Sequence, residues 1–141
     1  MNIRLILGAG LSLLLLTLSS CGKSDQEKLL DKRAKMQELV IDLLYKDPAV
    51  AKKHHDKAKE IYKNEHAKFL KYLSACNAED LKKIEEQADC GIKELETLKK
   101  DKKDLNKKTF EALEKSCPDP KLEEKCQAGV GKMNTKLGEI H

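Results

Sequence analysis

Histidines are the first residues of this chain to consider for chemistry, because neutral imidazoles bind metal ions. His54, His55 and His66 fall within one predicted helix. Two metal ligands on one helix usually lie a single turn apart, as in HExxH, whereas His55 and His66 are separated by about three turns. The surrounding lysines would repel a cation, namely Lys52, Lys53, Lys57 and Lys59. We therefore expect solvated surface histidines and predict no metal site.

Motifs for catalysis and nucleotide binding are missing from the sequence. It contains no GxSxG, no GxxxxGK[ST] and no GxGxxG. Carboxylates such as Glu85-Glu86 and Glu123-Glu124 stand among lysines, where pairing along a helix is the default. A general acid needs burial to shift its pKa, and nothing in the sequence marks a buried carboxylate. We predict that the protein is not an enzyme and needs no cofactor.

The N-terminus has the three parts of a secretory signal. Arg4 supplies the positive charge, residues 5–18 form an apolar stretch, and Ser19 and Ser20 are small residues before a cleavage site. The apolar stretch is shorter than the roughly 20 residues of a membrane-spanning helix. We therefore predict a signal peptide over residues 1–20, followed directly by Cys21.

The tetrad Leu18-Ser19-Ser20-Cys21 resembles the lipobox of bacterial lipoproteins, and the resemblance covers residues 1–21 only. It implies a diacylglyceryl thioether on Cys21, cleavage after Ser20 and acylation of the new amine. One acyl chain anchors weakly, at about 0.8 kcal/mol per buried methylene, but three chains on one residue anchor a protein effectively permanently. It also implies a bacterial cell-envelope location. Gly22, in place of the Asp that favours inner-membrane retention, favours the outer membrane, with the domain facing the periplasm.

Four further cysteines agree with export, because an even number in a small exported domain predicts two disulfides. They are Cys76, Cys90, Cys117 and Cys126. Zinc sites usually use close pairs such as CxxC, and these spacings are wider. Three pairings are open. A turn near Asp101 would favour the nested pairs Cys76–Cys126 and Cys90–Cys117, whereas a straight helix to Ser116 would place Cys90 and Cys117 about 40 Å apart.

Composition narrows the class further. Loss of residues 1–20 removes one charge, which leaves 27 basic and 24 acidic residues in the mature chain. With 37% charged and 4% aromatic residues overall, the chain is typical of solvated helices with narrow apolar faces. A nucleic-acid partner is not expected, because both a basic excess and stacking aromatics are missing.

Apolar periodicity predicts an all-α fold, a small bundle of four or five helices cross-linked by two disulfides behind a cleaved signal peptide. Residues 21–27 are the lipidated cysteine and its tether, and residues 28–141 form the helical domain. The first helix is predicted from about Asp25 to Tyr45. Asp47 and Pro48 then cap and start a second helix, which runs to about Ala75.

The third predicted helix is capped by Asn77, and its end is open. The segment is either one long helix to about Ser116 or two helices that meet near Asp101–Asp104, and Cys90-Gly91 is a further potential break. Asp119 and Pro120 are predicted to start the last helix, which three glycines make marginal.

These observations favour a membrane-anchored envelope lipoprotein that binds an envelope protein or serves as a structural component. The alternative is an inhibitor or immunity lipoprotein that blocks a toxin, a lytic enzyme or a conjugation partner. Acylated Cys21 would bind the bilayer. The charges alternate finely along the sequence, so we expect no surface for an ionic ligand. The candidate partner surface lies on the second helix and comprises Lys52, His55, Lys59 and His66.

The anchor gives the first testable prediction. Cys21→Ser should release the protein from detergent-extractable membranes or stall it as the uncut precursor, because the thiol that takes the lipid is gone. Membrane fractionation and mass spectrometry of the mature chain measure both. An unmodified Cys21 inside a longer mature chain would refute the anchor.

Overall fold

The computed structural model of the protein describes residues 22–101, 117 and 122–139. This part contains four helices and no strand: α1 Asp25–Leu44, α2 Pro48–Leu73, α3 Ala78–Lys100 and α4 Glu124–Gly138. The predicted all-α bundle with two disulfides is confirmed. None of these helices has the length and apolar character needed to span a membrane. The predicted signal peptide and Cys21 lie outside the described residues.

Side-chain caps fix where the first three helices begin. The Ser24 hydroxyl accepts a hydrogen bond from the Glu27 amide, and the Glu27 carboxylate accepts one from the Ser24 amide. Asp47 caps α2 ahead of Pro48, and Asn77 caps α3, as predicted. Because α1 already begins at Asp25, residues 25–27 of the predicted tether are helical.

Two helix boundaries differ from the sequence-based expectation. α3 runs through Cys90-Gly91 without a break and ends at Lys100, which excludes one straight helix to Ser116. α4 begins at Glu124, although Asp119 and Pro120 were predicted to start it; both of those lie outside the described residues. The Gln127 amide donates a hydrogen bond to the Glu123 carbonyl at the start of α4, and the described residues Leu122 and Glu123 are not helical.

α1 occupies the centre of the described bundle. It packs against α3 on one side and α2 on the other, and α4 packs against α2. The main core joins all four helices and includes Leu29, Ile41, Phe69, Leu73, Ile84, Cys126 and Met133. A second apolar cluster lies between α1 and α3, made of Leu39, Leu43, Ile92, Leu95 and Leu98.

The two disulfides have the nested connectivity. Cys76, just after α2, is bonded to Cys126 in α4 with their Cα atoms 4.5 Å apart, and Cys90 in α3 is bonded to Cys117 with Cα atoms 5.7 Å apart. The end of α3 at Lys100 allows the chain to return towards Cys90. The nested pairing predicted for a turn near Asp101 is therefore confirmed.

Gly129 sets how closely α4 approaches α2. A Cβ atom at Gly129 would lie 2.6 Å from the backbone oxygen of Tyr72. Both atoms are backbone-fixed, so neither can swing aside. The two helices can therefore meet at this distance only because residue 129 has no side chain.

Gly129→Ala should lower the free energy of unfolding by about 1–3 kcal/mol, because the methyl group forces α2 and α4 apart. Urea denaturation of the mature chain measures this. Gly131→Ala is the matched control in the same helix, since its Cβ would meet nothing within 4 Å. That control should raise stability by up to about 1 kcal/mol through helix propensity. Equal stabilisation by both changes would contradict the close approach.

Candidate functional site

Charge is divided unequally between the two pairs of helices. α2 has seven lysines against three carboxylates, and α4 has three lysines against one. α1 has four basic residues against five acidic ones, and α3 has five against seven. Because α2 packs on α4 and α1 packs on α3, the formal charges are +6 on one pair and −3 on the other. Summed helix by helix, the charges are therefore less evenly distributed than their alternation along the sequence suggests.

The exposed lysines of α2 and α4 form what we call the basic face. They are Lys52, Lys53, Lys57, Lys59, Lys63, Lys68, Lys71, Lys125 and Lys132. Some pair within their own helix: Lys68 lies 3.1 Å from Glu65, and Lys52 lies 3.5 Å from Asp56. Lys53, Lys71 and Lys125 make no ion pair in the described part of the chain, so the face keeps its positive excess.

The interface of α1 with α3 uses its charges differently. Lys32 reaches across to Glu85 at 2.7 Å and to Asp89 at 2.8 Å, and Lys35 reaches Glu96. The hydrogen bonds to Asp89 and then Glu85 raise the pKa of Lys32 above its usual value. Here the lysines of α1 neutralise part of the acidic excess of α3, so the negative side is weaker than the basic face.

The predicted partner surface on α2 is divided by its packing. Lys52 and His66 are exposed, as expected. His55 is half-buried against α1, where its Nε2 atom lies 3.1 Å from the Asp42 Oδ1 atom in a geometry that is not that of a hydrogen bond. Lys59 is exposed, and its Nζ atom lies 3.9 Å from the Glu38 carboxylate of α1. Three of the four predicted residues are therefore exposed, and His55 is held in a contact with α1.

His54 and His55 are half-buried, so the expectation of solvated histidines holds only for His66. The His54 ring stacks on Tyr45, with ring centroids 4.1 Å apart and planes 10° from parallel. Asp42 contacts His55 and is also paired with Lys99 of α3, which brings α1, α2 and α3 together at that end of the bundle. No group of three metal-ligating side chains occurs among the described residues.

Tyr62 of α2 is a titratable side chain that packs against the core. Burial raises its pKa, and its hydroxyl makes no hydrogen bond in the part of the chain that the structure describes. Its ring meets Phe69 edge to face, with centroids 5.9 Å apart. The ring is packed against the core between α1 and α2.

The basic face was missed in the sequence because lysines and carboxylates were followed along the chain rather than counted helix by helix. A count by predicted helix would have shown the excess on α2. That α4 shares this excess with α2 depends on which helices are neighbours, which the sequence left open.

Comparison with known proteins adds no family: no family model, curated protein or solved structure matches this chain. The candidate site therefore rests on the distribution of charge and on the contacts described above.

The histidine contacts lead to a prediction. Replacing His54 and His55 together by Gln should lower the free energy of unfolding by about 1 kcal/mol, through loss of the His54–Tyr45 stacking and of the His55–Asp42 contact. His66→Gln should change it by less than about 0.5 kcal/mol, because that side chain is exposed. Thermal and urea unfolding measure both. A double variant as stable as the His66 variant would show that the two contacts contribute nothing.

Proposed function

We propose that the protein is a membrane-anchored envelope lipoprotein that acts by binding a protein partner, and that its basic face is the binding surface. The observation that carries the proposal is the separation of charge, +6 on α2 with α4 against −3 on α1 with α3. Such a separation favours a partner with an acidic surface, because complementary potentials speed encounter and reject wrongly charged partners.

The anchor supports this proposal through distance. Only Gly22, Lys23 and Ser24 lie between the lipidation residue Cys21 and the first helix, a reach of about 10 Å when extended. A groove bordered by Asp25, Cys76 and Ala78 places the start of α1 beside the turn between α2 and α3. That end of the bundle would stay near the bilayer. The basic face extends from it along α2, whose 26 residues span about 39 Å.

The test compares two triple charge reversals in the full-length lipidated protein. Lys53, Lys71 and Lys125 change to Glu on the basic face; Lys82, Lys93 and Lys100 change to Glu on α3 as the control. All six are exposed, and both triples alter total charge equally. The partner is captured by cross-linking in intact cells and extraction in detergent. The amount captured by the first triple should be at least about tenfold lower than that captured by the unchanged protein, since like charges then oppose docking. The control should retain capture.

The outcomes separate the alternatives. Equal loss in both triples would show that total charge, not the face, matters, and equal retention would place binding elsewhere; either result refutes the proposed face. If the captured protein is a lytic enzyme or toxin whose activity falls on binding, the partner identifies the inhibitor or immunity form of the same function. In the unchanged protein, capture of the partner should increase at low salt and fall at high salt, because exposed charges are screened by salt.

A further inference from the structure

An apolar groove interrupts the basic face between α2 and α4. It lies alongside the contact of Gly129 with Tyr72 and has a volume of about 450 Å³. Its lining residues are Glu65, Phe69, Tyr72, Gly131, Lys132, Thr135, Lys136 and Glu139. Five of these come from α4 or the residue after it, and three come from α2, so the groove exists only because the two helices are neighbours.

The walls of the groove combine aromatic surface with positive charge. Phe69 is fully buried at its base, and Tyr72 is half-buried. The Lys132 Nζ atom lies 5.7 Å from the centre of the Tyr72 ring, a cation–π distance. Lys132 makes no ion pair within the described residues, so its charge is available at the rim.

The two carboxylates of the groove are already neutralised by lysines. Glu139 lies 2.8 Å from Lys136, and Glu65 lies 3.1 Å from Lys68. The apolar surface that the groove presents is therefore the exposed part of the Tyr72 ring, because Phe69 is fully buried, and the unpaired charge at its rim is that of Lys132. That combination disfavours a basic ligand and suits an apolar group with acidic neighbours.

We propose that this groove receives one Leu- or Phe-sized side chain of the partner, and that acidic residues flank that side chain. The proposal rests on the proposed function and names the element that the basic face recognises. A partly exposed aromatic ring such as Tyr72, set among charged residues, is a typical place for one of the few contacts that carry most of the binding energy. The partner's carboxylates would meet Lys132 and the lysines around it, while its apolar side chain packs on Tyr72.

Gly131 and Gly138 provide matched variants for the test. A Cβ atom at either glycine meets nothing within 4 Å, so a larger residue there should not disturb the core. Gly131 lines the groove and Gly138 does not. Gly131→Leu should therefore narrow the groove. Gly138→Leu makes the same substitution in the same helix but outside the groove, so it is the control. Tyr72→Ala removes the aromatic wall and serves as a second, independent variant.

The experiment measures binding of two synthetic peptides to the mature chain by fluorescence anisotropy. Each peptide has eleven residues; one is ten glutamates around a central Phe, and the other has Ser in place of that Phe. The Phe peptide should bind at least about tenfold more tightly, which corresponds to about 1.4 kcal/mol. Gly131→Leu and Tyr72→Ala should each remove this difference, while Gly138→Leu keeps it.

Two failures are distinguishable. If both peptides bind equally and the Lys53, Lys71 and Lys125 reversal abolishes binding, the groove proposal is refuted and the basic face stands. If neither peptide binds in a way that depends on those lysines, the acidic partner is refuted as well. A tenfold preference for Phe that survives both Gly131→Leu and Tyr72→Ala would place the apolar contact outside the groove.

Discussion

The junction of α2 with α4 is the constraint on which the rest of this structure depends. α4 is a short helix with glycines at 129, 131 and 138, and short helices in water are marginal without tertiary contacts. Two features hold it: the bond from Cys76 to the fully buried Cys126, and the direct backbone contact at Gly129. The disulfide closes a 50-residue separation, which restricts the unfolded chain strongly. Without this junction neither the basic face nor its groove would exist, since each needs side chains from both helices.

α1 differs from α2 and α4, because several of its charged side chains pair with charges on neighbouring helices instead of remaining unpaired at the surface. Its lysines pair with carboxylates of α3, and its carboxylates Glu38 and Asp42 lie against Lys59 and His55 of α2. Exposed ion pairs contribute little stability singly, so the apolar clusters between these helices supply most of the cohesion. The ion pairs instead fix which helix faces carry unpaired charge. α1 removes positive charge from its own side of α2 and leaves the solvent side of α2 basic.

Local signals in the sequence were sufficient for most of the fold. Asp47, Asn77 and the apolar periodicity located the first three helices within a few residues, because caps and periodicity act over one or two turns. The nested disulfides followed once α3 ended near Asp101. The start of α4 was misplaced, because Asp119 and Pro120 are a strong local start signal, whereas the helix begins only at Glu124. The candidate site was missed for a different reason. Which helix lies beside α2 is a property of the assembled core, and the spacing of His55 does not reveal that it contacts Asp42 of α1.

Net charge is a poor guide to how such a protein associates. With 28 basic and 24 acidic residues the chain is nearly balanced, which by itself would indicate no preference for acidic or basic partners. Association depends on the potential close to the surface, since exposed charges further apart than about 8–10 Å are screened at physiological salt. A partner that approached α2 and α4 would therefore meet mostly lysines, although the composition is nearly balanced. The four described helices thus divide into a basic pair and a weakly acidic pair. The proposed groove between α2 and α4 would add a contact with the Tyr72 ring within the basic face, where desolvation would make that contact most specific.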